Sequence, residues 1–323
     1  MARMIGPLFA AAMLLVPTLD RAMAQAYPKA QVKMFVGFPA GGTTDIVARD
    51  LGNELEKLWG HPVIVENRAG ANGAIAATQL ARLPADGQTL MMIVSGHVTN
   101  PLASSNAGYD ALKDFTAISL VASSPLLIFS HPKFEATDIK ALIKLAKEKP
   151  GTVSYSSPGV ASIQQLSMEM LAHRTGAKFV HVPYRGGAPA LNDVIAGHVP
   201  LSVMSVMQAL PNLQANQVRA LAVTSAKATD ILPNTPSLAE VGVPNYEAEL
   251  WYVVIAPAGL PKPIADKINT DITKIVKSEA FRKRLAAQGA RPIGSTQAEV
   301  VAFMKAESDK WEKVIKDSNI KVQ

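Results

Sequence analysis

The chain has 323 residues, 48% hydrophobic and 18% charged, with no cysteine and a formal net charge of +6. Such an apolar fraction excludes a disordered chain, and the missing cysteine excludes a disulfide-stapled fold or a thiol nucleophile. The positive excess is spread along the chain without an aromatic-interleaved basic cluster, which excludes a nucleic-acid surface; Lys277 to Arg284 reads as the solvated face of a helix.

Residues 1–26 read as a cleaved signal peptide. Arg3 supplies the positive start, Ile5 to Val16 the apolar core, and Ala24-Gln25-Ala26 or Ala22-Met23-Ala24 the small-x-small cleavage site. A membrane anchor needs about 20 apolar residues, and Asp20-Arg21 interrupt this run. The mature product is therefore expected to be exported, and loss of the leader leaves it at +5, enough to attract small anions.

Apolar Val32–Val36 predicts a first strand, and Val47, Leu51, Leu55 and Leu58 predict a helix after it. Between them lies Phe38-Pro39-Ala40-Gly41-Gly42-Thr43-Thr44-Asp45. Gly41 and Gly42 keep bulk off the backbone, and Thr43 and Thr44 add hydroxyl donors. The unpaired N–H groups of the helix's first turn then face an open space that suits an anion, most simply a carboxylate. The loop equally serves as a plain N-cap, and it matches neither GxxxxGK[ST] nor GxGxxG. Asp45 is acceptor-only when ionised, so it caps the helix or takes an ammonium or water rather than a carboxylate.

Further strands are expected at Val63–Glu66, Leu90–Val94, Ala117–Val121, Leu126–Phe129, Thr152–Tyr155, Phe179–Val182, Leu201–Ser205, Ala220–Thr224 and Leu250–Ala256, alternating with helices such as Ile139–Lys147 and Ser162–His173. That alternation implies an α/β fold with mostly parallel sheets flanked by helices. Chain crossings are expected at Ser123-Ser124-Pro125 and at Glu247 to Trp251, before a wholly helical tail. Lobe 1 is then discontinuous, residues 27–124 and 250–323, lobe 2 is 125–249, and a ligand cleft lies between them.

Four later strand-end loops combine small residues with hydroxyls: Ser95 to Asn100, Ser156 to Ser162, Pro183 to Pro189, and Ser205 to Gln208. Each also reads as an ordinary turn. Arg185 either pairs with a ligand carboxylate or with a surface acid. Tyr184 forms a pocket wall or packs between lobes. His97 is the one histidine whose loop places it near the cleft; the six histidines are scattered, and no metal site or cofactor is expected. Glu66 to Gly73 is expected to be structural, with Arg68 tying loops together. No GxSxG elbow or local catalytic set supports a secreted hydrolase.

The ordered motifs Phe38 to Asp45 with Ala48-Arg49, Val65 to Gly73, Pro84-Ala85-Asp86-Gly87-Gln88-Thr89-Leu90, Tyr109-Asp110 with Lys113-Asp114-Phe115, His181 to Ala190, Leu221 to Ser225 and Ala256 to Gly259 cover essentially the mature chain. The sequence resembles the extracytoplasmic solute receptors of tripartite tricarboxylate transporters, the Bug family. The resemblance implies a two-lobed periplasmic binding protein (type II-like) that closes around its ligand and delivers to integral membrane transporter subunits; a monomer is the default for a receptor that must open and close. It implies ligand contact at Phe38, Ala40, Gly41, Thr43, Thr44, Asp45, Ser95, Ser156, Ala161, Ser162, Tyr184, Arg185 and Gly186; Gly42, His97 and Ser205 join them from the loop pattern alone. Phe38 and Tyr184 would suit an aromatic carboxylate. Where relatives often carry Ser-x-Gly-x-Gly-Ser and a downstream His, this chain has Val160-Ala161-Ser162 and Gln165. A sensor feeding a signalling system and a secreted hydrolase are the alternative readings.

Overall fold

The computed structural model describes residues 27–104 and 107–317; the expected signal peptide lies outside them. The chain opens with β1 (Val32–Val36), α1 (Thr43–Trp59), β2 (Val63–Asn67), a 3-10 turn at Ala71–Gly73, α2 (Ala74–Leu80), β3 (Thr89–Ile93) and α3 (Gly96–Ala103). In α1 the buried stripe is Val47, Ala48, Leu51 and Leu55, whereas Leu58 is 40% exposed. The expected stripe therefore ends one turn early, at Leu55, before the Gly60 C-cap.

Next comes β4, a single 16-residue strand from Phe115 to Ser130. Two strands separated by a break at Ser123-Ser124-Pro125 were expected. Instead these residues pair with Trp251, Leu250 and Glu249 of β9 (Glu249–Pro257). The long-range ladder overrides the local turn signal, and the Ser124 hydroxyl that would have made a turn donates to Gly289 O at 2.8 Å.

The second half of the fold holds α4 (Ile139–Glu148), β5 (Val153–Ser157), α5 (Ile163–Thr175), β6 (Phe179–Pro183), α6 (Gly187–Ile195), β7 (Leu201–Ser205), α7 (Val206–Gln214) and β8 (Arg219–Val223). After β9 the chain ends in α8 (Lys262–Lys277), α9 (Glu279–Ala287), the short β10 (Arg291–Pro292) and α10 (Gln297–Asp317), so the expected all-helical tail contains one strand pairing, β10 on β4.

Strand order is β2-β1-β3-β9-β4-β7-β5-β6, with β8 and β10 also on β4. The outer strands pair in parallel, β1 with β2 and β3, and β5 with β6 and β7. Every pairing made by β4 or β9 is antiparallel. The sheets are thus mixed rather than mostly parallel. One of these strands carries the chain into the second lobe and the other carries it back, so the centre has to run in opposite directions.

The terminal helix α10 lies against α3, β4 and α5. Its Glu307 is 8% exposed, and Glu307 Oε2 accepts from Trp251 Nε1 and Trp311 Nε1, both at 3.0 Å, while Lys310 pairs with Oε1 at 2.6 Å. One carboxylate thereby fixes the last helix to the crossing strand. Glu307→Ala leaves two buried indole N–H groups without acceptors and is expected to cost about 2–4 kcal/mol in urea unfolding, while Glu307→Gln, which keeps an acceptor oxygen, costs less.

Candidate functional site

The first loop is shaped from behind. Asp45, 3% exposed in the first turn of α1, accepts from Gly41 N and Arg49 Nε on Oδ2, both at 2.9 Å, and from Asn67 Nδ2 on Oδ1 at 2.8 Å. Asn67 Nδ2 also donates to Phe38 O at 3.0 Å. Burial alone would raise the Asp45 pKa, but the Arg49, Gly41 and Asn67 hydrogen bonds and the Arg49 charge together hold it below its ordinary value. Gly41 turns the chain at φ +79°, where a side chain is strained. The carboxylate that would repel an anion is therefore locked to the rear of the loop, and its partners stretch the peptide groups of Pro39 to Thr44 along the cleft.

Between the halves lies an inner cavity of about 70 Å³. The first loop supplies Phe38, Pro39, Ala40, Gly42, Thr43 and Thr44; the facing lobe supplies Pro158, Ile163, Gln164, Gly186 to Pro189 and Gln208; Asn72, Val94, Gly96 and Leu250 complete it. The starts of α1, α3, α5 and α6 all open here. The N-caps of α1, α3 and α6 are Gly42, Ser95 and Gly186, and none supplies a side-chain cap. Away from the cleft, α4 and α9 are capped by Asp138 and Ser278. The first turns of α1 and α6 keep N–H groups available, whereas in α3 His97 N and Val98 N already donate to Val94 O and Ser95 O and α5 is capped by Ser162; the helix dipoles still sum to a positive potential without any cationic side chain. Among the described residues, no charged side chain lines this cavity.

Outside it is a vestibule of about 1020 Å³ that shares Phe38, Pro39, Asn72, Pro158 and Gly186 with the inner cavity. Its one charged residue among those described is Arg185, which is exposed and has no ion pair or hydrogen bond there. The Tyr184 ring joins the wall, but its hydroxyl donates to Asp193 and is pushed up to about 12, by desolvation first and by Asp193 second. Ala161, also in the wall, sits at φ +60°; its N–H donates to Gln165 Oε1 and its carbonyl accepts from Thr99 Oγ1, each at 2.8 Å. Gln165 thus holds the strained peptide in place, and Thr99 ties the first lobe to the second.

Other expected contacts stand one layer back. Gly41 does not line the cavity because its N–H is given to Asp45. Ser162 and Ser205 cap α5 and α7, accepting from Gln165 N and Gln208 N at 3.3 Å. Ser95 Oγ donates to Glu249 O at 3.3 Å, and the Ser156 hydroxyl is held by Ala190 O at 3.0 Å and Ser202 Oγ at 2.9 Å. All four are buried.

His97 is a correction. It is 4% exposed, stacked on Tyr109 at 5.0 Å and edge-on to Phe115 at 4.8 Å, with Nε2 3.1 Å from Ala111 O. Desolvation lowers its pKa to about 4. Because α3 starts at Gly96, the next side chain turns inward to the lobe core, away from the cleft. The Glu66 to Gly73 segment is also more than structural. Arg68 does tie loops, donating to Glu66 at 2.7 Å and Gln79 at 2.8 Å, yet Ala69 to Asn72 line the vestibule and Asn72 lines both spaces. Gln164 and Leu250 were missed, while Gly187 to Pro189 and Gln208 fall in loops singled out above but were not named as contacts. The glutamines carried a usable signal, since each stands two or three residues past a hydroxyl N-cap.

A Ser157 Oγ–His181 Nε2 contact of 2.6 Å has the look of a nucleophile and base. Ser157 is fully buried, its hydroxyl also meets Gly159 N and O, and desolvation lowers the His181 pKa to about 4. The pair braces β5 against β6 rather than facing the cavity.

Two α/β lobes joined by paired crossing strands, with bare helix starts facing across a cleft, define a two-lobed periplasmic binding protein. The family model described as Tripartite tricarboxylate transporter family receptor matches residues 47–320, and the chain belongs to that family. It is 33% identical to Protein BugT of Bordetella pertussis over 93% of each chain. The solved structure of R. palustris Rpa4515 with adipate is 36% identical, with a TM-score of 0.88, over 91% of this chain and 99% of that one. MatC from Rhodopseudomonas palustris with bound malate is 28% identical, with a TM-score of 0.84, over 90% and 100%. Among the described residues no helix is long and apolar enough to cross a membrane.

A carboxyl whose pKa is lower folded than unfolded contributes fully above the unfolded value, near about 3.9, and loses that contribution as pH falls through the folded value. Asp45→Asn is therefore expected to be less stable than the native chain at pH 7, with the gap narrowing in denaturant titrations taken below about pH 4.

Proposed function

We propose that this protein is an extracytoplasmic receptor that binds an organic mono- or dicarboxylate between its lobes and releases it unchanged to the integral membrane subunits of a tripartite tricarboxylate-type transporter. The observation that carries the reading is the convergence of uncapped helix starts from both lobes on one cavity free of charged side chains among the described residues. Neutral N–H and hydroxyl donors hold an anion without the desolvation cost of a buried cation. Adipate in Rpa4515 and malate in MatC give the same chemistry in relatives.

In this reading Phe38, Ala40, Gly42, Thr43, Thr44, Ala161, Tyr184, Arg185 and Gly186 meet the ligand, while Gly41, Asp45, Ser95, Ser156, Ser162 and Ser205 shape their loops. Lobe 1 is 27–124 with 250–323 and lobe 2 is 125–249; β4 exchanging β9 for β7 and β8 after Pro125 supports that division. The protein works in the periplasm as a monomer after removal of residues 1–26. Closure transmits occupancy because the ligand favours the closed form over the open one.

Charge sets the selectivity. Among the described residues no carboxylate lines either space, so an ammonium finds no partner, and Arg185 alone offers a charge to a second carboxylate. A thermal-shift panel tests this, with stabilisation following RT ln(1 + [L]/Kd), about 2.7 kcal/mol at 100 Kd. Adipate and malate are expected to stabilise the protein, 2-aminoadipate to do so less, and Arg185→Gln to weaken dicarboxylates more than monocarboxylates of the same length. A flat response to every aliphatic and aromatic acid overturns the reading.

A further inference from the structure

Two carboxamides open into the inner cavity. Gln164, in the first turn of α5, is only 5% exposed, and Gln208 stands in the first turn of α7. Both line the inner cavity and neither lines the vestibule. Among the described residues neither side-chain amide has a hydrogen-bond partner, and neither is sealed from solvent, so both reach the space they line. Gln165, one residue on, is different: its Oε1 accepts from Ala161 N at 2.8 Å.

Gly187, the first residue of α6, makes room for one of the pair. A Cβ there would fall 2.7 Å from Gln208 Cδ and closer still to Oε1 and Nε2. Its φ is not among the positive ones that call for glycine, so the missing side chain serves the amide. Gln164 and Gln208 are also the only polar side chains that the facing lobe brings to the cavity among the described residues. A buried amide without partners is costly, and that cost is relieved when a ligand supplies them.

The ligand must supply a donor as well as an acceptor. A carboxylate only accepts, so it can take an amide N–H but leaves the amide oxygens unpaired. A hydroxyl accepts from one amide and donates to the other. At about 70 Å³ the inner cavity is well below the roughly 300–1,000 Å³ of a whole-ligand pocket, so it takes the acid head while the body extends into the vestibule. The hydroxyl therefore sits on the carbon beside the carboxylate. An ammonium at that carbon would add positive charge where the helix starts already make the potential positive.

We propose that Gln164 and Gln208 determine specificity by reading a hydroxyl next to the bound carboxylate, which makes the ligand a 2-hydroxy acid. The inference rests on the carboxylate reading above.

Calorimetric Kd values for three pairs of acids, each differing by one hydroxyl, test it on residues 27–323: lactate and propionate, malate and succinate, mandelate and phenylacetate. The native chain is expected to bind the hydroxylated member of its best pair about 10–100-fold more tightly. Gln164→Met and Gln208→Met are each expected to reduce that ratio at least about 5-fold, and to melt no lower than the native chain without ligand, since no protein hydrogen bond is lost. Gly187→Ala, which pushes the Gln208 amide aside without removing it, is expected to reduce the ratio in the same way. A native chain that binds acids without preferring the hydroxyl overturns the inference and leaves the receptor reading standing. So do methionine variants that keep the native ratio, whether or not they melt lower. If the native chain binds none of the six acids, the receptor reading fails and the inference with it.

Discussion

The antiparallel ladder between β4 and β9 is the constraint on which the rest depends. It runs from Phe115 opposite Pro257 to Pro125 opposite Glu249, and the strands feed one lobe at one end and the other lobe at the other. Two register shifts, between Ala117 and Ser119 and between Leu120 and Ala122, let the long pair bend without losing its bonds. A linker of two free loops would leave the lobes to find each other by diffusion. A bonded ribbon limits them to a narrow arc, so the helix starts of one side always meet those of the other.

That arc brings together groups that are individually weak. A first helical turn offers a fraction of a charge, and a threonine hydroxyl one donor. Their strength comes from being fixed in place at low dielectric, where no water competes and no reorganisation is needed. Asp45 shows how carefully the sign of the field is kept. It is close to the cavity in sequence, yet three donors hold both its oxygens at the rear of the loop. The same residue that could spoil anion binding becomes the anchor that sets the shape of the loop.

Much of this was legible in the sequence because it is local. Strand, then glycine or hydroxyl residues, then an apolar helical stripe specifies a helix start wherever it falls, and Phe38 to Ala40, Gly42 to Thr44, Ala161 and Tyr184 to Gly186 border the two spaces. What escaped depends on distant partners. The Ser-Ser-Pro of β4 reads as a turn until β9, more than a hundred residues on, supplies its ladder. His97 reads as a cleft residue until Tyr109 and Phe115 fold over it. Asn72 and Leu250 carry no signal of their own strong enough to place them at one cavity, since only the crossing geometry brings them there.

One contact sets a mechanical limit. Gly186, at φ +125°, faces Pro39 across the cleft, where an added methyl carbon would rest 3.6 Å from the proline ring, in ordinary van der Waals contact. Proline cannot swing aside, and the glycine has no side chain to yield, so closure beyond direct contact of these two backbones is barred. The tightness of the grip is then dictated by backbone thickness and not by how strongly any guest pulls. Guests of different bulk would reach the same shut outline, and a docking partner reading that outline would sense whether the chamber is filled without sensing by what.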